Sequence, residues 1–128
     1  MSPPIGFRAG LLAALLSLAV AELAVAHPLL LESTPQAGAT IAETKRVGLR
    51  FNSRLEPALS HLRLEGPAGV SVLLDAVMST TTGRNGLTAP LPPLRPGFYT
   101  VYWQVLTVDG HTGRGTFSFW IAERGRDR

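Results

Sequence analysis

The sequence predicts an all-β domain, an antiparallel sandwich or barrel, on three observations. Val47, Leu49 and Phe51 alternate with Arg46, Gly48 and Arg50, the period of two that marks a strand with one buried face. Short apolar runs recur at spacings of roughly 8–12 residues, broken by Pro- and Gly-rich turns. After residue 26 nothing repeats a helical period.

Each element follows from its own residues. The runs at 59–64 and 70–74 flank Glu65-Gly66-Pro67-Ala68-Gly69, which can continue neither strand, so the pair predicts a hairpin. Asn85-Gly86, followed by Pro90, Pro92, Pro93 and Pro96, predicts a loop or edge segment, because proline offers no ladder donor. Pro96-Gly97 opens the longest strand candidate, residues 98–108, rich in Tyr, Thr, Val and Trp. Turn residues at 109–113 lead into a last strand at 115–122, where Phe117, Phe119 and Ile121 alternate with Thr116, Ser118 and Trp120. Residues 123–128 read as a frayed tail. Trp103 and Trp120 are expected in the core. About 100 residues is an ordinary size for an immunoglobulin-like sandwich, although the cysteine pair of antibody domains is missing.

With 128 residues, 45% hydrophobic and 16% charged, the chain has room for one domain. Its 12 Lys+Arg and 9 Asp+Glu are scattered, so no basic stripe marks a nucleic-acid footprint. The absence of cysteine excludes disulfide scaffolds, thiolate-bound zinc or iron–sulfur clusters, and thiol catalysis. Hydrophobicity is concentrated at the start. Arg8 precedes an Ala/Leu/Val run over residues 9–21, and Ala24-Val25-Ala26 supplies a small-x-small site, the pattern of a cleaved secretory signal peptide. The run is shorter than the ~20 apolar residues a spanning helix needs. Residues 1–26 are therefore expected to be removed on export, leaving residues 27–128 as the secreted domain.

Cleavage after Ala26 gives His27 two nitrogens on one residue, a free α-amine and imidazole Nδ1, which close a six-membered chelate ring on a metal. Pro28 has no amide N–H, so chelation stays confined to the amine and the ring. In Val108-Asp109-Gly110-His111 the two ligating side chains stand two residues apart and lean to one side of an extended segment, with Gly110 letting the backbone adjust. His27, Asp109 and His111 together offer three nitrogens and one oxygen, a set that suits the tetragonal preference of Cu(II) over Ca(II) or Mg(II). The same Asp-Gly-His-Thr-Gly segment also serves as ordinary hairpin chemistry, and only its coincidence with the terminal histidine favours a metal. His61 reads as a structural or surface histidine, and Met78 is the only methionine after the cleavage site, too few for a thioether Cu(I) site.

At these residues the sequence resembles the CopC family of periplasmic copper-binding proteins. The resemblance rests on His27, Ser33-Thr34-Pro35-Gln36-Ala37-Gly38-Ala39, the segment 47–51, Tyr99-Thr100-Val101-Tyr102-Trp103, Val108-Asp109-Gly110-His111 and Gly115-Thr116-Phe117-Ser118-Phe119. It implies a Greek-key sandwich or barrel of about seven antiparallel strands. It also implies one Cu(II) held by the amine and ring of His27 with Asp109 and His111, a carrier rather than an enzyme, and a possible CopD-like inner-membrane copper protein as partner. A monomer is expected. Two other readings compete: a copper-dependent oxidase with a histidine brace, as in polysaccharide monooxygenases, and a metal-free sandwich module for protein contacts.

Overall fold

The computed structural model describes residues 27–124. The segment expected to be a signal peptide and the last four residues of the expected tail lie outside them. Nine strands fill the described residues: β1 (Leu30–Thr34), β2 (Thr40–Ile41), β3 (Arg46–Phe51), β4 (His61–Glu65), β5 (Ser71–Leu74), β6 (Val77–Ser79), β7 (Gly83–Pro90), β8 (Gly97–Leu106) and β9 (Thr112–Ile121). They form two sheets, one in the order β1, β3, β7, β6 and one in the order β2, β9, β8, β4, β5. Hairpins join β4 to β5, β6 to β7 and β8 to β9, while the other connections cross from sheet to sheet, as in a Greek-key sandwich.

The core is the sum of the alternating faces. Val47, Leu49 and Phe51 on β3 point inward opposite Val101, Trp103 and Val105 on β8, with Leu62 and Leu64 from β4 and Phe117, Phe119 and Ile121 from β9 beside them. Phe51 meets Trp103 edge-on with ring centroids 5.0 Å apart, so one aromatic contact ties the two sheets together. Tyr99 stacks on Phe119 at 5.7 Å and donates its hydroxyl to the carbonyl of Arg95 at 2.8 Å, which leaves no polar group stranded there.

The fold class is as expected, with nine strands where about seven were expected, and three further expectations need correction. The strand count exceeds seven because β2, two residues long, and β6, three residues long, extend the sheets, and β2 runs parallel to β9. Asn85-Gly86 lies neither in a loop nor on an edge: β7 lies in the interior of its sheet between β3 and β6, with Leu87 and Ala89 buried. The proline restriction holds only from Pro90 onward, because the ladder donors of residues 83–89 are intact. Trp120 is 50% exposed, since it shares the outer face with Thr116 and Ser118 and pairs there with Phe98 at 4.8 Å. Trp103, at 9% exposed, is a core residue as expected. The turn before β9 covers residues 107–111, two residues earlier than the turn signals suggest. β1 has no clean alternation to reveal it, because its register slips between Leu30 and Glu32.

Phe51→Ala is expected to destabilise the domain by about 3–5 kcal/mol, the cost of emptying a buried aromatic site. Trp120→Ala should cost less than about 1.5 kcal/mol, the range of an aromatic pair without burial. Urea unfolding of both variants, compared at the transition midpoint, checks the assignment of inner and outer faces.

Candidate metal centre

The β8–β9 hairpin is closed by one buried residue. Thr107, 2% exposed, stands just past the end of β8 and forms an isolated bridge with Leu55. Its N–H donates to the carbonyl of His111 at 2.8 Å, and its own carbonyl accepts from Gly110 N–H at 3.0 Å. Gly110 sits at φ +91°, the left-handed region that lets the chain reverse without a Cβ clash. Val108 N–H donates to the carbonyl of Arg54 at 3.0 Å, so the hairpin tip is tied to the 54–55 segment as well as to its own strands.

Asp109 and His111 project from this tip toward each other. His111 Nδ1 lies 3.2 Å from Asp109 Oδ1. Nδ1 is buried but off the line of a hydrogen bond, so the pair is a close contact and not an aligned N–H···O. The Thr107 hydroxyl donates to the same Oδ1 and accepts the His111 backbone N–H at 2.9 Å. This hydroxyl above all, and then His111, holds the Asp109 carboxyl below its ordinary value, keeping it ionised. Two donor atoms remain uncommitted to protein partners among the described residues: Asp109 Oδ2, on a side chain 70% exposed, and His111 Nε2, on a side chain 41% exposed. An imidazole whose other nitrogen faces a carboxylate is the usual arrangement of a metal-binding histidine. The pair is chemically fit for a borderline divalent ion.

His27 is exposed, but the residues after it are fixed. Pro28 is buried, Leu29 N–H donates to Asn52 Oδ1 at 2.8 Å, and Asn52 N–H returns to the Leu29 carbonyl at 3.2 Å. Pro28 rests on β9 at Gly113, where a Cβ would stand 2.5 Å from Pro28 Cγ. On the same face of β9 Gly115 lies under the Trp103 indole, where a Cβ would stand 2.3 Å from the ring. Pro28 is thus seated on β9 two residues past His111, the last residue of the turn. Gly113 therefore leaves room for Pro28, and Gly115 for the Trp103 indole.

Asp109 and His111 come together; the side chain of His27 does not join them. Among the described residues no three His, Asp or Glu side chains gather into a metal-holding group. In the uncut chain the backbone nitrogen of His27 is also a peptide nitrogen and has no lone pair to give. His61 lies on the outer face of β4, exposed, across from Gln104 and away from the hairpin's inner face, as expected of a surface histidine. The sequence reading missed Thr107 and Gly113. A hydroxyl two residues before an aspartate was the available signal for Thr107, since Ser and Thr side chains bond locally in turns. Gly113 carried no local signal, because what it accommodates lies 85 positions away in the chain.

A family model described as the CopC domain matches residues 30–122. Copper resistance protein C of Xanthomonas campestris pv. juglandis is 31% identical over 102 residues, covering 75% of this chain and 80% of the relative. Protein YobA of Escherichia coli (strain K12) is 31% identical over 96 residues, covering 73% of this chain and 77% of the relative. Among solved structures, CopC from Methylosinus trichosporium OB3b superposes with a TM-score of 0.71 at 31% identity, over 80% of this chain and all of that one. PcoC, a methionine-rich copper resistance protein from Escherichia coli, superposes with a TM-score of 0.63 at 26% identity, over 75% of this chain and 99% of that one. By sequence across the whole sandwich and by the course of its strands, the chain belongs to the CopC family.

Proposed function

We propose that the chain is exported, cut after Ala26, and serves in the periplasm as a monomeric carrier or buffer of one Cu(II) ion, without a catalytic step. The ligands are the new α-amine and imidazole of His27, the carboxylate of Asp109 and the imidazole of His111. The observation that carries this reading is the seat of Pro28 on Gly113, near the start of β9 and two residues along the chain from His111. The residue before Pro28 is thereby kept within a short swing of the hairpin, and cleavage converts its peptide nitrogen into a donor. The names of the relatives support the choice of copper: several are called copper resistance protein C. Three nitrogens and one oxygen favour the cupric state, and Met78, exposed on β6, stands alone as a thioether. A CopD-like inner-membrane protein is the proposed recipient or source of the ion.

A one-to-one Cu(II) titration of the chain beginning at His27 tests the site. His27→Ala and His111→Ala should each weaken binding by more than the roughly 10- to 100-fold lost when a group merely supporting a ligand is removed. A chain carrying extra residues before His27 should lose affinity similarly, since its amine is acylated. Undiminished tight binding in all three would refute the ligand set.

Gly113→Ala tests the approach of the terminus separately, because the new Cβ would stand 2.5 Å from Pro28 Cγ and lift the segment away. Copper affinity should fall, while the midpoint of thermal unfolding without metal moves by only a few degrees.

Affinity should also fall as pH drops from about 8 to about 5, where amine and imidazole nitrogens take up protons in competition with the metal. The Asp109 carboxyl, held below its ordinary value, stays ionised throughout that window. Asp109→Asn should therefore lower affinity at every pH without moving the midpoint of the profile, which a titration series at fixed ionic strength reads directly.

A further inference from the structure

We infer that Thr107 is a positioning residue of this metal centre, its hydroxyl presetting both Asp109 and His111 before any ion arrives. The inference rests on the copper reading above and adds a residue to it. The geometry is specific to the hydroxyl. Oγ1 donates to Asp109 Oδ1, with the His111 carbonyl a second acceptor at 3.2 Å, and accepts the His111 backbone N–H, so one oxygen fixes the carboxylate of one ligand and the main chain of the other. The backbone of the same residue closes the turn through His111 O and Gly110 N–H.

Thr107 is in turn immobile, because it is buried and bridged to Leu55, a fully buried core residue. The two ligands themselves are exposed or half-exposed and have no other side-chain anchor among the described residues. Committing Oδ1 inward also leaves Oδ2 as the carboxylate oxygen turned to the metal. The approach of the same Oδ1 to His111 Nδ1 leaves Nε2 as the metal-facing nitrogen. A methyl-bearing but hydroxyl-free side chain keeps the volume and main-chain bonds of Thr107 and loses the bonds of the hydroxyl.

The test uses the chain beginning at His27, with Cu(II) as the probe, and compares wild type with Thr107→Val and Thr107→Ser. Valine should weaken Cu(II) binding by about 10- to 100-fold and alter the electron paramagnetic resonance spectrum of the bound ion, while serine restores both. In the metal-free protein the valine variant should exchange its His111 amide hydrogen faster than wild type, a readout independent of copper. Wild-type affinity and spectrum in Thr107→Val would overturn the inference and leave the copper reading standing. A wild-type chain that binds no Cu(II) removes both. Equal losses in valine and serine, with unaltered spectra, would assign Thr107 to stability alone. Should the valine variant not fold, wild-type protein still decides: the Thr107 hydroxyl proton, donated to Asp109 from a buried oxygen, is expected to exchange slowly enough to detect by NMR. Fast exchange of that proton overturns the inference whatever the variants do.

Discussion

The indole of Trp103 is the wedge on which this end of the sandwich is built. It lies edge-on to Phe51 from the opposite sheet and presses against the bare Cα of Gly115 on its neighbouring strand. A side chain on Gly115 has no room, so this part of β9 carries no bulk against the ring. That vacancy continues to Gly113, where Pro28 fills it. The seat of Pro28 on β9 and the place of the Trp103 indole thus depend on two missing side chains, at Gly113 and Gly115.

The hairpin divides labour between a residue the solvent does not reach and residues it does. Thr107 shares the interior with Leu55 and organises the turn, while Asp109 and His111 stand outside and remain chemically available. The proposed carrier role would need this division. A donor set locked in the core would hold an ion without releasing it, and a set on an unanchored loop would lose affinity to the ordering it must undergo on binding. Rigid support beneath exposed donors reconciles tight capture with access.

Much of the fold was legible because burial on one face leaves a period of two in the sequence. Val47, Leu49 and Phe51, and again Phe117, Phe119 and Ile121, read as core faces and are core faces. The same rule places Trp120 outside, and expecting it in the core meant letting residue type outweigh position. β7 was hidden by prolines that begin only where the strand ends, and β1 by a bulge that breaks its alternation. At the site, Asp109 and His111 were legible because two residues of spacing suffice to bring them together. Gly113 and Pro28 were not, because their relation is a contact between distant parts of the chain that no local pattern encodes.

The reciprocal hydrogen bonds between Leu29 and Asn52, with Pro28 sunk beneath them, set the length of the leash on any terminus created at His27. In a chain cut after Ala26, one residue would hang free beyond that knot. Freezing a residue's backbone costs about 1–2 kcal/mol, so a one-residue overhang surrenders little freedom when it is captured, whereas each residue added ahead of it raises the toll. The site of cutting thus decides the chemistry of the donor and, at the same stroke, how loosely it swings.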